Sequence, residues 1–223
     1  MKIIAHIRTD FPTKFGVPRQ AGVVESLTGR IVFEKEYRNA AALKGLEGFS
    51  HIWLIWQFSK AVRETWSPTV RPPRLGGNAR MGVFATRSPF RPNAIGLSVV
   101  KLEEIRDDAA LGTVLIVSGA DLMDGTPIYD IKPYIPFSDS HPDAVGGFSD
   151  EHLSDSLTVH FPDDLLSLIP PEKREALLEI LRQDPRPSYH NDPERVYGFP
   201  FACFEIRFKV NGDDLLVTSV ERV

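Results

Sequence analysis

The sequence predicts a mainly β fold, and three observations carry that prediction. Short runs rich in Val, Ile, Phe and Trp recur between Gly, Pro and Asn punctuation. Only one helical pattern, Ala40–Leu46, fits ahead of residue 150. No Gly-x-Gly-x-x-Gly follows any of the apolar runs, so a dinucleotide crevice between strand and helix has no support. Many strands and few helices favour a β-barrel or sandwich over a doubly wound α/β sheet.

In chain order, strands are expected at Ile3–Ile7, Gly22–Ser26, Ile31–Glu34, His51–Phe58, Gly82–Ala85, Ile95–Leu102 and Thr113–Ser118. Ser138–Asp150 mixes Pro, Gly, Ser, Asp and His without periodicity and reads as a linker. A strand follows near Ser156–His160. A helix is expected from Pro171, whose fixed φ suits the first helical position, and it stops before Asp184-Pro185. Glu172 and Glu175 favour its positive end, and Leu177, Leu178 and Leu181 give it one apolar face. Two last strands, Phe199–Val210 and Leu215–Val220, flank the turn Asn211-Gly212-Asp213-Asp214. Residues 150–223 thus form a small α+β domain beside a β domain over residues 1–140. With about 70 residues it is near the lower limit for folding alone and is expected to pack on the first domain or on a partner chain.

Apolar residues make up 42% of the 223 and charged residues 25%, an ordinary globular mix that excludes a disordered tail or a collagenous repeat. No apolar run approaches the roughly 20 residues of a membrane span, and His6, Arg8 and Asp10 interrupt any secretory signal. A cytoplasmic protein is expected. Cys203 is the only cysteine, which excludes an internal disulfide, and six histidines without paired spacing argue against zinc. Charge is unevenly placed. Residues 1–140 hold 18 Lys and Arg against 14 Asp and Glu, whereas residues 141–223 hold 8 against 16. Between Lys60 and Arg91 lie seven basic residues and one acid, Glu64. A local field of that sign attracts a polyanion even though the whole chain carries −4.

Three stretches carry chemistry. Arg71-Pro-Pro-Arg-Leu-Gly-Gly-Asn-Ala-Arg80 sets arginines on a backbone stiffened by proline and opened by glycine. Arg71, Arg74, Arg80 and, further on, Arg91 are candidates for phosphate contacts. Ala85–Gly96 is long for a plain hairpin connection, which suits a shaped, functional loop. Asp121, Asp124 and Asp130 supply carboxylates around a turn at Asp124-Gly125, in a spacing that matches no calcium loop.

These stretches closely resemble the TsaA-like family, also called YaeB or tRNA methyltransferase O (TrmO). The resemblance rests on Val17-Pro-Arg-Gln20, Gly45–Trp53, the long motif Pro68–Ser88, Phe90-Arg-Pro-Asn93 and Asp124–Tyr134. It continues more thinly through Gln183-Asp-Pro-Arg-Pro-Ser-Tyr189. It implies a single small β-barrel, S-adenosyl-L-methionine as methyl donor with no metal, and a homodimer with the cofactor site near the subunit interface. The implied reaction is N6-methylation of threonylcarbamoyladenosine beside the anticodon of threonine tRNA. Matched position by position, the implied cofactor residues are Pro18, Arg19, Gln20, Ser50, His51, Arg87, Ser88, Leu97, Asp124, Gly125, Thr126 and Pro127. Asp124 is expected to hold the sulfonium. Asp121, Asp130, Asn93 and Tyr134 are candidates for orienting the amine, and a dedicated strong base is not required.

The residues by themselves leave two other readings open. A metal-dependent RNA hydrolase would use Asp121, Asp124 and Asp130 and would need a divalent cation. A non-enzymatic RNA-binding module would use the arginines on the backbone and aromatic rings on the bases.

Overall fold

The computed structural model describes residues 1–72, 79–152, 156–186 and 192–223. Arg74 and residues 187–189 of the Gln183–Tyr189 motif lie outside the described residues. The first part contains β1 (Ala5–Arg8), β2 (Thr28–Phe33), β3 (His51–Gln57), the short pair β4 (Thr69–Val70) and β5 (Met81–Gly82), β6 (Ile95–Asp108), β7 (Gly112–Ser118) and β8 (Pro127–Pro133). Six of these close an antiparallel barrel in the order β1-β2-β7-β6-β3-β8. The barrel is legible in the period-2 burial: Ile52, Leu54 and Trp56 of β3 point inward, as do Gly96, Ser98 and Val100 of β6. Ala5, Ile7, Ile31, Leu115, Val117 and Ile128 complete the filling.

The second part holds β9 (Thr158–His160), two helices, α2 (Asp163–Ser167) and α3 (Pro171–Arg182), then β10 (Tyr197–Phe201), β11 (Phe204–Asn211) and β12 (Asp214–Arg222). A one-turn helix, α1 (Pro136–Asp139), precedes them in the chain. The second sheet runs β10-β11-β12-β9 and is covered by α3. As expected, α3 starts with proline at its first turn, and it buries Ala176, Leu177, Ile180 and Leu181. Leu178 is only partly buried, because Ala176 and Ile180 share the inward face with Leu177 and Leu181.

The core of the second part is completed from outside it. Phe11, Val24 and Leu27, from the connection between β1 and β2, are buried among Phe199, Phe201, Leu177 and Leu181. Polar contacts follow the same path: Lys173 binds Asp10, and the Ser26 hydroxyl donates to Glu179 at 2.5 Å.

The structure corrects several expected elements. Gly22–Ser26 is a series of turns rather than a strand, because Val24 is drawn into the second core instead of the barrel. Ala40–Leu46 forms two short 3-10 turns, Ala40–Leu43 and Leu46–Gly48, separated by Gly45 at φ +90°. Of Gly82–Ala85 only Gly82 is in a strand, and Val83–Ala85 is a 3-10 turn. Phe199–Val210 is two strands, broken at Ala202 with φ +54°. Pro127–Pro133, absent from the expected strands, is barrel strand β8. Among the described residues no helix is long and apolar enough to cross a membrane.

Candidate active site

One end of the barrel opens into a cleft of about 730 Å³. Five segments meet there: the end of β3 (Trp56–Gln57), the start of β6 (Ile95–Leu97), the loop before β6, the β1–β2 connection and the segment leading into β8. An open end suits a site, because strand ends and loops bring side chains together that the barrel wall keeps apart.

Asp121 sits at the inner side of this cleft at the end of a buried hydrogen-bond chain. The Trp56 indole donates to the Ser98 hydroxyl at 3.0 Å, and that hydroxyl donates to Asp121 at 2.6 Å. Ser98 is an inward-facing serine, 2% exposed, in a strand whose other inward side chains are apolar. The Trp56 ring lies over Gly96, where a Cβ would come within 2.2 Å of it. Any side chain at that position would therefore push the indole off Ser98. Burial raises the pKa of Asp121 above the usual carboxylate value. The Ser98 hydroxyl, the Ala21 amide and the Arg87 guanidinium pull it back down.

The loop residues Pro18, Arg19 and Gln20 reach the same cleft, as do Arg87, Arg91, Asn93, Leu97 and Thr126. Arg87 donates to Gln20, joining two loops 67 residues apart in sequence. Arg19 reaches the other way, donating to the carbonyls of Asp184 (3.0 Å) and Arg186 (3.3 Å). The second part thereby braces the first cleft loop through residues of the Gln183–Tyr189 motif. Arg91 donates to the Thr86 carbonyl at 2.9 Å and so also shapes the 86–91 loop. Ser88 turns that loop, its amide bonded to Thr86 and its hydroxyl accepting from the Phe90 amide.

The remaining expected residues lie elsewhere. Asp124 is on the outer side of the turn, accepting from the Thr9 amide at 3.1 Å and from Arg8 at 3.4 Å. Gly125 and Pro127 continue that turn into β8, with the Gly125 amide bonded to Ile7. Asp130 pairs with Lys132 on β8. The three aspartates of the hydrolase reading are thus dispersed. Among the described residues no group of three or more His, Cys, Asp and Glu is arranged to hold a metal. Ser50, His51 and Tyr134 gather at the opposite end of β3 from Trp56. There the Ser50 hydroxyl is 2.9 Å from His51 Nδ1, and the Tyr134 amide donates to the His51 carbonyl. Arg71 and Arg80 are exposed on the β4–β5 arm, with Arg80 donating to the Thr69 hydroxyl at 3.0 Å.

Sequence reasoning missed Trp56, Phe58 and Ser98. A serine on the apolar phase of a strand was the available signal. The rings of Trp56 and Phe58, 4.3 Å apart between centroids, add a π-surface beside the carboxylate. Carboxylate and aromatic faces together suit a cationic ligand, and the amides of Gln20, Gln57 and Asn93 suit a polar heterocycle.

Comparison with known proteins finds similarity along nearly the whole chain. A family model described as the tRNA-methyltransferase O N-terminal domain matches residues 6–140, and one described as the TrmO C-terminal domain matches residues 155–223. The chain is 42% identical to tRNA (adenine(37)-N6)-methyltransferase of Escherichia coli strain K12, covering 98% of this chain and 96% of that one. It is 38% identical to a putative S-adenosylmethionine-dependent methyltransferase, RcsF, of Pseudomonas aeruginosa, over 96% of this chain and 93% of the other. A crystal structure of TrmO from Pseudomonas aeruginosa superposes with a TM-score of 0.78 at 33% identity, covering 99% and 95% of the two chains.

Proposed function

The chain belongs to the tRNA-methyltransferase O family, and from that premise we propose that it methylates N6 of the adenosine beside the anticodon of tRNA. S-adenosylmethionine is the donor, and threonylcarbamoyladenosine of threonine tRNA is the substrate. The observation that carries this reading is Asp121, a part-buried carboxylate in a cleft where the expected cofactor loops Pro18–Gln20 and Arg87 converge. The lining fits the donor: an anionic Asp121 and the Trp56 and Phe58 rings for its sulfonium, with Gln20, Arg19 and Arg87 for its polar ends. When bound, S-adenosylmethionine supplies an electrophilic methyl group.

The chain's own contribution is positioning and proton acceptance. Exocyclic N6 is a weak nucleophile, since its lone pair is delocalised into the purine, so holding it in line provides most of the acceleration. Asn93 and Thr126, at the cleft wall, are placed to hold the base. As N6 gains a methyl group it loses its proton, and Asp121 Oδ receives it. Ser98 and Trp56 fix the carboxylate in one orientation. Incubation with labelled donor and threonine tRNA tests the reading. Label should enter tRNA that already carries the threonylcarbamoyl group and not tRNA that lacks it.

The wide separation of Ser50 and His51 from the cleft supports the homodimer. Six residue steps along β3 separate His51 from Gln57, about 20 Å of strand. If Ser50 and His51 serve the donor as the family motif implies, they serve the cleft of a second copy. Mixing His51→Ala chains with Asp121→Asn chains is then expected to restore activity, because one cleft of each mixed dimer regains both residues. Two inactive parents that stay inactive after subunit exchange would show that each chain holds its own site.

A further inference from the structure

An exposed aromatic pair stands beside the cleft, and neither the proton chain nor the expected cofactor loops use it. Trp66 is 48% exposed and Phe84 71% exposed, yet their rings stack at 6.0 Å between centroids with planes 23° apart. The β4–β5 arm holds them there. Thr69 pairs with Gly82, Val70 with Met81, the Val83 amide donates to the Pro68 carbonyl and the Ser67 amide to the Phe90 carbonyl. One cation reaches the pair, Arg91 at 5.9 Å from the Phe84 ring, and a second, Arg63, lies 3.7 Å over the ring of Phe90, the residue before Arg91. Phe90 and Arg91 also line the cleft, so platform and cleft share a wall.

We infer that Trp66 and Phe84 form a stacking platform for an unpaired nucleobase flanking the target adenosine, an inference that rests on the tRNA methyltransferase reading. Three observations select this occupant. The surrounding segment is cationic, with seven basic residues and one acid from Lys60 to Arg91, which suits a polyanion. Two neighbouring rings within 23° of parallel, and largely exposed to water, present π-faces of the kind bases stack on. A purine entering the cleft has to leave its own stack, which uncovers the face of its neighbour at the point where the platform begins. Stacking reads no base edge, so the platform tolerates any base and requires that one be present.

The test uses the full chain and a synthetic anticodon stem-loop of threonine tRNA carrying threonylcarbamoyladenosine. Trp66→Ala and Phe84→Ala are each expected to weaken binding by about tenfold to a hundredfold, with melting temperature and S-adenosylmethionine affinity kept. Trp66→Phe should retain most of the affinity. The slope of log affinity against log salt should stay at the wild-type value, because stacking releases no counterions. Arg80→Ala or Arg71→Ala should instead flatten that slope by about one unit. An abasic nucleotide beside the target adenosine should weaken wild-type binding about as much as Trp66→Ala does, and should cost the Trp66→Ala chain little more. Unchanged affinity in both alanine variants, with an active wild-type enzyme, would overturn the platform alone. Variants that turn monomeric by sedimentation would overturn it too, by making the pair a subunit contact. A wild-type chain that transfers no methyl group to any tRNA would bring down the functional reading itself.

Discussion

Asp121→Asn is expected to slow methyl transfer by about 10²–10⁴-fold, the usual range for removing a positioned general base, while S-adenosylmethionine still binds. Asparagine keeps an acceptor for the Ser98 hydroxyl, so the chain from Trp56 through Ser98 is preserved, while proton acceptance and the negative charge facing the sulfonium are lost. The loss should appear in kcat, with KM for tRNA kept and S-adenosylmethionine bound more weakly. The pH dependence follows from burial. A base acts only when ionised, and burial raises the pKa of Asp121, so the acid limb of kcat should lie above the ordinary carboxylate value of 3.8 and vanish in the variant. Stability moves in the opposite sense. A carboxyl whose folded-state pKa is raised favours folding in its protonated form. That contribution is fully present below the ordinary value and is lost as pH rises through the raised one. At neutral pH the part-buried charge is a cost, so Asp121→Asn should keep or raise Tm while it removes activity. A variant that loses activity and Tm together would make Asp121 a structural residue.

The second large effect is expected at Gly16, 105 residues before Asp121 and not in contact with it. Gly16 has φ +86°, and a Cβ there would lie 2.3 Å from Cδ2 of Phe199, which is fully buried. Valine at this position therefore meets two penalties, a left-handed backbone and an overfilled core, about 2–5 kcal/mol together. Phe199 has little room to move, since it packs against Phe208 at 6.1 Å and Phe15 at 6.5 Å. The strain should pass directly to Pro18, Arg19 and Gln20, two to four residues along the chain. Calorimetry is expected to show weakened S-adenosylmethionine binding alongside a lowered Tm. Gly22→Val is the control, because Gly22 has a similar φ of +78° but nothing within 4 Å of its Cβ position. Equal losses at the two glycines would mean that contact with Phe199 does not support the loop. The second part of the chain would then have no bearing on the cleft through this contact.

Much of the fold was legible because burial dictated residue type. Ile52–Trp56 is an unbroken apolar run between His51 and Gln57, short enough to be a strand, and Pro171–Arg182 opens with a residue that suits a helix start. Legibility failed where a residue served a distant core. Val24 reads as a barrel residue and packs against the second sheet. It failed again where chain reversal had no glycine to mark it, as at Ala202 between β10 and β11. At the site, the resemblance supplied loops but not their spatial grouping. Pro18–Gln20 and Arg87 meet, Asp124 faces Arg8, and Ser50 and His51 stand at the other end of β3. The partner of a part-buried carboxylate is set by register: Trp56 faces Gly96 across two strands and so reaches Ser98 two residues on. Nothing in the local sequence states that register.

The assignment of the cleft is tested most directly by a crystal structure of the full chain with bound S-adenosylmethionine. The account predicts the donor in the cleft, with its methyl group opening towards Asp121, its polar ends against Gln20 and Arg87, and Ser50 and His51 of the partner subunit closing over it. A donor bound at the Asp124 and Arg8 side of the turn, with the cleft beside Asp121 left to solvent, would contradict it.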